Sequence, residues 1–146
     1  MMVLYSIDVS TLNNSNMFLL LYNSDGDVEI RFQQCKTDLI KEILFTIEIW
    51  HHPFMANLNV WYSIAELNRF AEALKSMSSF QLYDYTFTSI EREVIISLSL
   101  ETTGHINANV RVYAGSRGSL RYSFEFDQSF INSIVEQITN LLCQIE

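Results

Sequence analysis

The sequence predicts an α+β fold: a mainly antiparallel twisted β-sheet with two amphipathic helices packed on it. Three observations predict it. In the last third of the chain, apolar and polar residues alternate in three successive runs. Two other stretches, about 64–77 and 128–145, repeat apolar residues at helical spacing instead. The whole chain of 146 residues holds only four Gly and one Pro, which favours long regular elements over elaborate loops.

Taken in order, Met2 to Asp8 is predicted as a first strand and the polar, Asn-rich Thr11 to Asn16 as a turn. Met17 to Tyr22 and Val28 to Gln33 flank Asn23-Ser24-Asp25-Gly26-Asp27, and Asp-Gly between two β-rich runs predicts a hairpin. Ile43, Phe45, Ile47 and Ile49 alternate with Leu44, Thr46, Glu48 and Trp50 and form the next strand. His51-His52-Pro53 breaks it, because Pro cannot donate to a ladder, and Asn57 to Tyr62 returns.

Ser63-Ile64-Ala65-Glu66 has the form of a capping box: the Ser63 hydroxyl accepts from the Glu66 amide while Glu66 reaches back. Ile64, Leu67, Phe70, Ala71, Leu74 and Met77 then mark the buried stripe of the first helix, which Ser78-Ser79 ends. Phe80 to Thr88 is rich in Tyr and Phe and is predicted as a strand. The meander follows, with Val94, Ile96, Leu98 and Leu100 in its first run, Ile106, Ala108, Val110 and Val112 in its second, and Leu120, Tyr122, Phe124 and Phe126 in its third. Asp127 is placed to cap a second helix whose stripe is Phe130, Ile131, Ile134, Val135, Ile138, Leu141, Leu142 and Ile145. No internal sequence repeat, linker or low-complexity segment is visible, so residues 1–146 are expected to form one domain.

Hydrophobic residues make up 49% of the chain, enough to exclude disorder as its ordinary state. The formal charge of −8 disfavours direct nucleic-acid binding, because phosphates are repelled and no counterions are released. It suits a basic protein partner, although solubility alone is a sufficient reason for it. Cys35 and Cys143 leave one disulfide open but form no framework; Cys143, among Leu141, Leu142 and Ile145, is expected in the core. The longest early apolar run, Met17 to Tyr22, is too short to span a bilayer, and no secretory leader is visible. The expected location is the cytoplasm, away from membranes and with reduced thiols.

Candidate chemistry is sparse. His51 and His52 are neighbours on a strand, so their side chains diverge and do not readily share a metal. Asp25, Asp27 and Glu29 lack the closing glutamate of a calcium loop and are expected at a solvated hairpin tip. Gly115-Ser116-Arg117-Gly118 lacks the Lys-Ser/Thr of a phosphate loop and connects two strands. Glu93 and Glu101 are assigned to the polar face of a sheet strand, where solvated charge is ordinary. Trp50, Phe54, Met55 and Trp61 have the composition of an interface anchor, yet large aromatics are usually buried, and core is the favoured reading. No catalytic residue, metal ligand or cofactor motif is predicted.

From about Ile43 onward the chain resembles the WapI-like immunity proteins of bacteria, partners of contact-dependent polymorphic toxins. The resemblance rests on Phe45-Thr46-Ile47-Glu48-Ile49, on Val60-Trp61-Tyr62 leading into Ser63-Ile64-Ala65-Glu66-Leu67, and on Val94 to Glu101. Its most specific pieces are the Gly104-His105-Ile106 turn and the Phe126-Asp127-Gln128-Ser129 junction. The resemblance implies a non-enzymatic protein that binds a cognate toxin domain in the cytoplasm and blocks its active site or substrate path. Many such toxins are nucleases, whose basic surfaces an acidic inhibitor complements. On that reading Glu93 and Glu101 are the first candidates for the partner-binding surface, with Asp84 and Glu91 extending it. The alternative from another class is a small-ligand-binding or enzymatic domain with a pocket between sheet and helices. The sequence leaves the toxin's identity and the oligomeric state open.

Overall fold

The computed structural model describes residues 18–38 and 41–145; the strand expected at Met2 to Asp8 and the turn after it lie outside them. Strands β1 (Phe18–Tyr22), β2 (Val28–Thr37), β3 (Glu42–His51) and β4 (Phe54–Ser63) form an antiparallel meander in that order. Helix α1 (Ile64–Ser78) follows directly. A second meander then runs through β5 (Asp84–Thr88), β6 (Val94–Leu100), β7 (His105–Tyr113) and β8 (Ser119–Asp127), and helix α2 (Ile131–Ile145) closes the chain. The α+β class predicted from alternation is the class observed. The described strands divide into two four-stranded sheets, because α1 interrupts the ladder after four strands and β5 starts a new one. Among the described residues the architecture thus repeats as four strands and a helix, although the residues themselves do not.

Alternation explains the burial. Ile43, Phe45, Ile47 and Ile49 of β3 are buried, and so are Ile106, Ala108, Val110 and Val112 of β7. Both sheets turn these faces toward one hydrophobic cluster that also takes Leu67, Phe70 and Leu74 of α1 and Ile134, Ile138 and Leu141 of α2. Phe87 of β5 sits where the halves meet: its ring lies 4.1 Å from that of Phe70, 4.7 Å from Tyr62 and 6.0 Å from Phe32. One side chain therefore touches α1, β4 and β2 at once, and stacked or tilted rings at these separations add to the gain from area burial.

Backbone hydrogen bonds close the seams. The Ser24 amide donates to the Glu125 carbonyl at 2.8 Å, joining the β1–β2 turn to β8. The Ile90 amide donates to the Trp61 carbonyl at 2.9 Å, joining the β5–β6 turn to β4. Gln137 of α2 bonds β1, the outermost strand of this sheet among the described residues, its Oε1 accepting from the Leu20 amide at 2.8 Å. An edge strand satisfied in this way offers less template for pairing with another chain.

Local chemistry sets the helix ends. Ser63 Oγ accepts from the Glu66 amide at 3.0 Å, the first half of the capping box. The second half is replaced: the Glu66 carboxylate accepts from the Tyr85 hydroxyl at 2.8 Å and from Arg69 at 2.9 Å. At the other end of α1 the Phe80 amide donates to the Met77 carbonyl and the Gln81 amide to the Ser76 carbonyl, with Phe80 at φ 59°. This Schellman pairing turns the chain away from the helix, which is why β5 begins at Asp84 and not at Phe80 as the composition suggested. Asp127 Oδ1 accepts from the Ser129 amide at 3.2 Å and caps the 3-10 turn Gln128–Phe130 that leads into α2. Cys143, expected in the core, is exposed with a free thiol, because the buried stripe of α2 passes through Ile138, Leu141 and Leu142.

Candidate partner-binding surface

The β3–β4 hairpin turns at His52-Pro53, and it carries its strands up to the turn itself, with His51 opposite Phe54 and Trp50 opposite Met55. The sequence placed the returning strand later, at Asn57; Phe54 and Met55 are already in the ladder. Trp50 is 47% exposed, Phe54 59% and Met55 66%. The expectation that this cluster is core is therefore overturned for these three. The reason is phase. With Ile43, Phe45, Ile47 and Ile49 facing inward, Trp50 and its cross-strand neighbour Met55 fall on the outer face. Phe54 has the inward phase but lies past the last residue of the core. Trp61 is half-buried on the outer face, with the Lys36 ammonium 5.7 Å from its ring centroid.

Beneath the turn lies a polar brace. The pairing of β1 with β2 steps from Leu21–Ile30 to Tyr22–Val28, which leaves Glu29 as the extra residue of a β-bulge. Bulges re-aim side chains. Glu29 is only 6% exposed and accepts from Asn23 Nδ2 at 2.9 Å, and its Oε1 lies 3.1 Å from His51 Nδ1. The His51 ring stacks on Tyr122 of β8, centroids 4.4 Å apart. Burial, and next the charge of Glu29, push the Tyr122 hydroxyl above its ordinary range. Asn23 completes the brace: its Oδ1 accepts from the amides of Asp25 and Asp27 at 3.0 Å and shapes the β1–β2 turn. The two hairpin tips and β8 are thereby tied together around a surface concavity of about 620 Å³. Asp27 stands exposed in its lining, and Asp25 is exposed in the same turn.

The family model for the "Immunity protein WapI-like family" matches residues 19–145, nearly the whole chain. The chain belongs to the WapI-like immunity protein family. That membership covers both meanders and both helices, so it extends the sequence resemblance from Ile43 back to β1. No curated protein matches the chain. Among solved structures, the crystal structures of Trypanosoma bruciei MRP1/MRP2 are similar, with a TM-score of 0.53 over 92% of this chain and 90% of that one. At 9% identity this likeness concerns the fold alone.

The acidic residues singled out from the sequence do not form one patch in this WapI-like protein. Glu93 precedes β6 in the β5–β6 turn, where it accepts from Ser89 Oγ at 2.8 Å; Glu91 is exposed in the same turn. Glu101 follows β6 at the other end, roughly 25 Å away at a strand's rise of about 3.3 Å per residue. Asp84 pairs with Ser99 and so lies at the Glu101 end. Glu93 and Glu101 are turn residues and not strand residues. Among the described residues no three of His, Cys, Asp and Glu are grouped to hold a metal ion. No helix among them is long and apolar enough to cross a membrane. What the sequence reading missed is the hairpin tip, and the signal was present: the strand's own alternation put Trp50 in the outward phase.

Proposed function

We propose that this protein neutralises a cognate bacterial toxin domain by stoichiometric binding in the cytoplasm, with no chemistry of its own. The observation that carries the reading is the family match over residues 19–145. The net charge of −8 supports the finer reading that the toxin is basic, as a nuclease must be to hold phosphates. An acidic inhibitor raises the encounter rate with such a partner and repels nucleic acid itself. The exposed carboxylates Glu91, Glu101 and Asp84, together with Glu93, contribute to that field from both ends of the second sheet.

The test is co-expression with the C-terminal domain encoded immediately upstream in the source genome. Rescue of growth and a one-to-one complex on size exclusion are the expected results. A neighbouring domain that remains toxic and shows no complex with the purified protein overturns the reading.

A further inference from the structure

We infer that the paired hairpin tips of the first sheet are the docking anchor, and that their occupant is a basic protein surface; the inference rests on the immunity reading above. Trp50 and Met55 are cross-strand neighbours on the outer face, Phe54 precedes Met55 at the turn, and all three are strongly exposed and line the same concavity. Single exposed apolar residues are ordinary, but contiguous ones mark interaction sites. Trp is also among the residue types most enriched in interface hot spots.

The support beneath these side chains points the same way. His51 is fixed on one side by Glu29 at 3.1 Å and on the other by the Tyr122 ring. Asn23 binds Glu29 and holds both backbone amides of the acidic turn. The anchors are thus presented in a set geometry, which lowers the ordering cost of association. A buried carboxylate engaged only to steady a hairpin tip is an expensive device; presenting the tip to a partner gives it a use.

Charge selects the occupant. Asp27 lines the concavity with the apolar residues and Asp25 is exposed in the same turn, and Arg31, which borders a recess with Trp50, is paired with Glu48. A second copy of the chain would bring the same carboxylates against these. Anionic lipid headgroups would be repelled for the same reason. A surface rich in Lys and Arg around an apolar recess satisfies both features.

The experiment measures affinity for the toxin domain encoded beside this chain. It compares the wild type with Trp50→Ala, Phe54→Ala, the double reversal Asp25→Lys/Asp27→Lys, and Glu72→Ala on the exposed face of α1 as control. Thermal unfolding verifies that each variant is folded. Each apolar truncation is expected to weaken binding at least about 30-fold, as hot-spot residues do, and the double reversal is expected to weaken binding and reduce its salt dependence. Glu72→Ala is expected to bind as the wild type. Tip variants that bind as tightly as the wild type overturn the inference and leave the immunity reading standing. A wild type that does not bind overturns both. Dimerisation of the free protein that Trp50→Ala abolishes, or binding to vesicles of phosphatidylglycerol, would assign the tip to a different occupant and also overturn it.

Discussion

The ring of His51 lies on that of Tyr122 at a centroid distance of 4.4 Å, and the same imidazole contacts the buried carboxylate of Glu29. One side chain at the end of β3 therefore holds both a residue of the second sheet and the bulge in β2. Its removal should be felt in stability and not only in binding. For His51→Ala we predict a loss of about 2 kcal/mol, from the stack and from a Glu29 left with Asn23 alone. In a domain of this size that lowers the melting temperature by about 4–8 °C. Urea or thermal unfolding followed by circular dichroism checks it; an unchanged midpoint would show that the brace is ornamental.

A second relationship explains why two short sequence pieces were the most specific. Gly104 lies at φ +92°, and a Cβ there would come within 2.5 Å of Gln128 Oε1. The Gln128 amide donates to the Gly104 carbonyl at 3.3 Å, and its side chain donates to the Ser78 carbonyl at 3.1 Å. The Gly-His-Ile turn and the Asp-Gln-Ser junction are thus two sides of one contact that also reaches the end of α1. Gly104→Ala is predicted to destabilise the fold by about 2 kcal/mol, combining a strained backbone with a displaced Gln128. Equilibrium unfolding measures it, and Gln128→Ala in the same background should recover part of the loss.

Most of the fold was legible because its signals are periodic. Ile43 to Ile49, Val94 to Leu100 and Ile106 to Val112 alternate, and the structure buries the residues that alternation selects. Ser63 begins its helix by a cap whose chemistry is local. What was not legible depends on distant partners. Nothing near Glu66 in sequence says that Tyr85 will claim its carboxylate, and nothing near Glu29 says that a bulge will turn it toward His51. The division into two sheets is likewise a long-range outcome, since each strand of either sheet looks alike locally. The hairpin tip fell between these cases: phase placed Trp50 outside, while its hydrophobicity argued for the interior, and phase prevailed.

Tyr62 and Tyr122 are buried with hydroxyls that find no hydrogen-bonding partner among the described residues. Burial, then the charges of Glu93 and Glu66, hold Tyr62 well above its ordinary value of 10.0. Tyr122 and Tyr85 are also raised, chiefly by burial. In the unfolded chain these tyrosines lose their protons near pH 10 while the native state keeps them, so the unfolded state binds fewer protons and stability falls as pH rises. Stability should be unaffected by these groups below about pH 9 and decline steeply above about pH 10. Tyr62→Phe removes an unpaired hydroxyl at no cost in packing; it should raise stability by about 1 kcal/mol at neutral pH and soften the alkaline decline. Urea midpoints from pH 7 to pH 11 provide the comparison.

Leu141 is 1% exposed on the buried face of α2. Leu141→Asp would put an unpaired carboxylate where two sheets and α1 share their core, at a cost of several kcal/mol. Native proteins hold only about 5–15 kcal/mol in reserve, so soluble expression should be lost. Recovery of a folded protein at wild-type yield would mean that this end of the helix contributes little to the core.

We predict that the acidic residues of the second sheet act in a different step of binding from the hairpin tip. Exposed carboxylates more than a Debye length from a contact, about 8 Å at physiological salt, have little effect on a formed complex but still accelerate encounter at low salt. We predict that reversing Glu93 and Glu101 together slows association with the toxin domain several-fold at low salt and flattens its salt dependence. Dissociation should change little. The two are roughly 25 Å apart along the strand, so their single reversals should each give part of the effect and should add, as distant sites do. Glu93 also accepts from Ser89 in the turn that opens β6, so Glu93→Lys is expected to cost some stability where Glu101→Lys costs none. Trp50→Ala should show the opposite kinetic signature, with faster dissociation and nearly unchanged association, because most affinity lost on truncating an anchor appears in the off-rate. Stopped-flow association and dissociation at two ionic strengths separate the two classes. Association that is insensitive to the double reversal at low salt would remove Glu93 and Glu101 from the encounter surface.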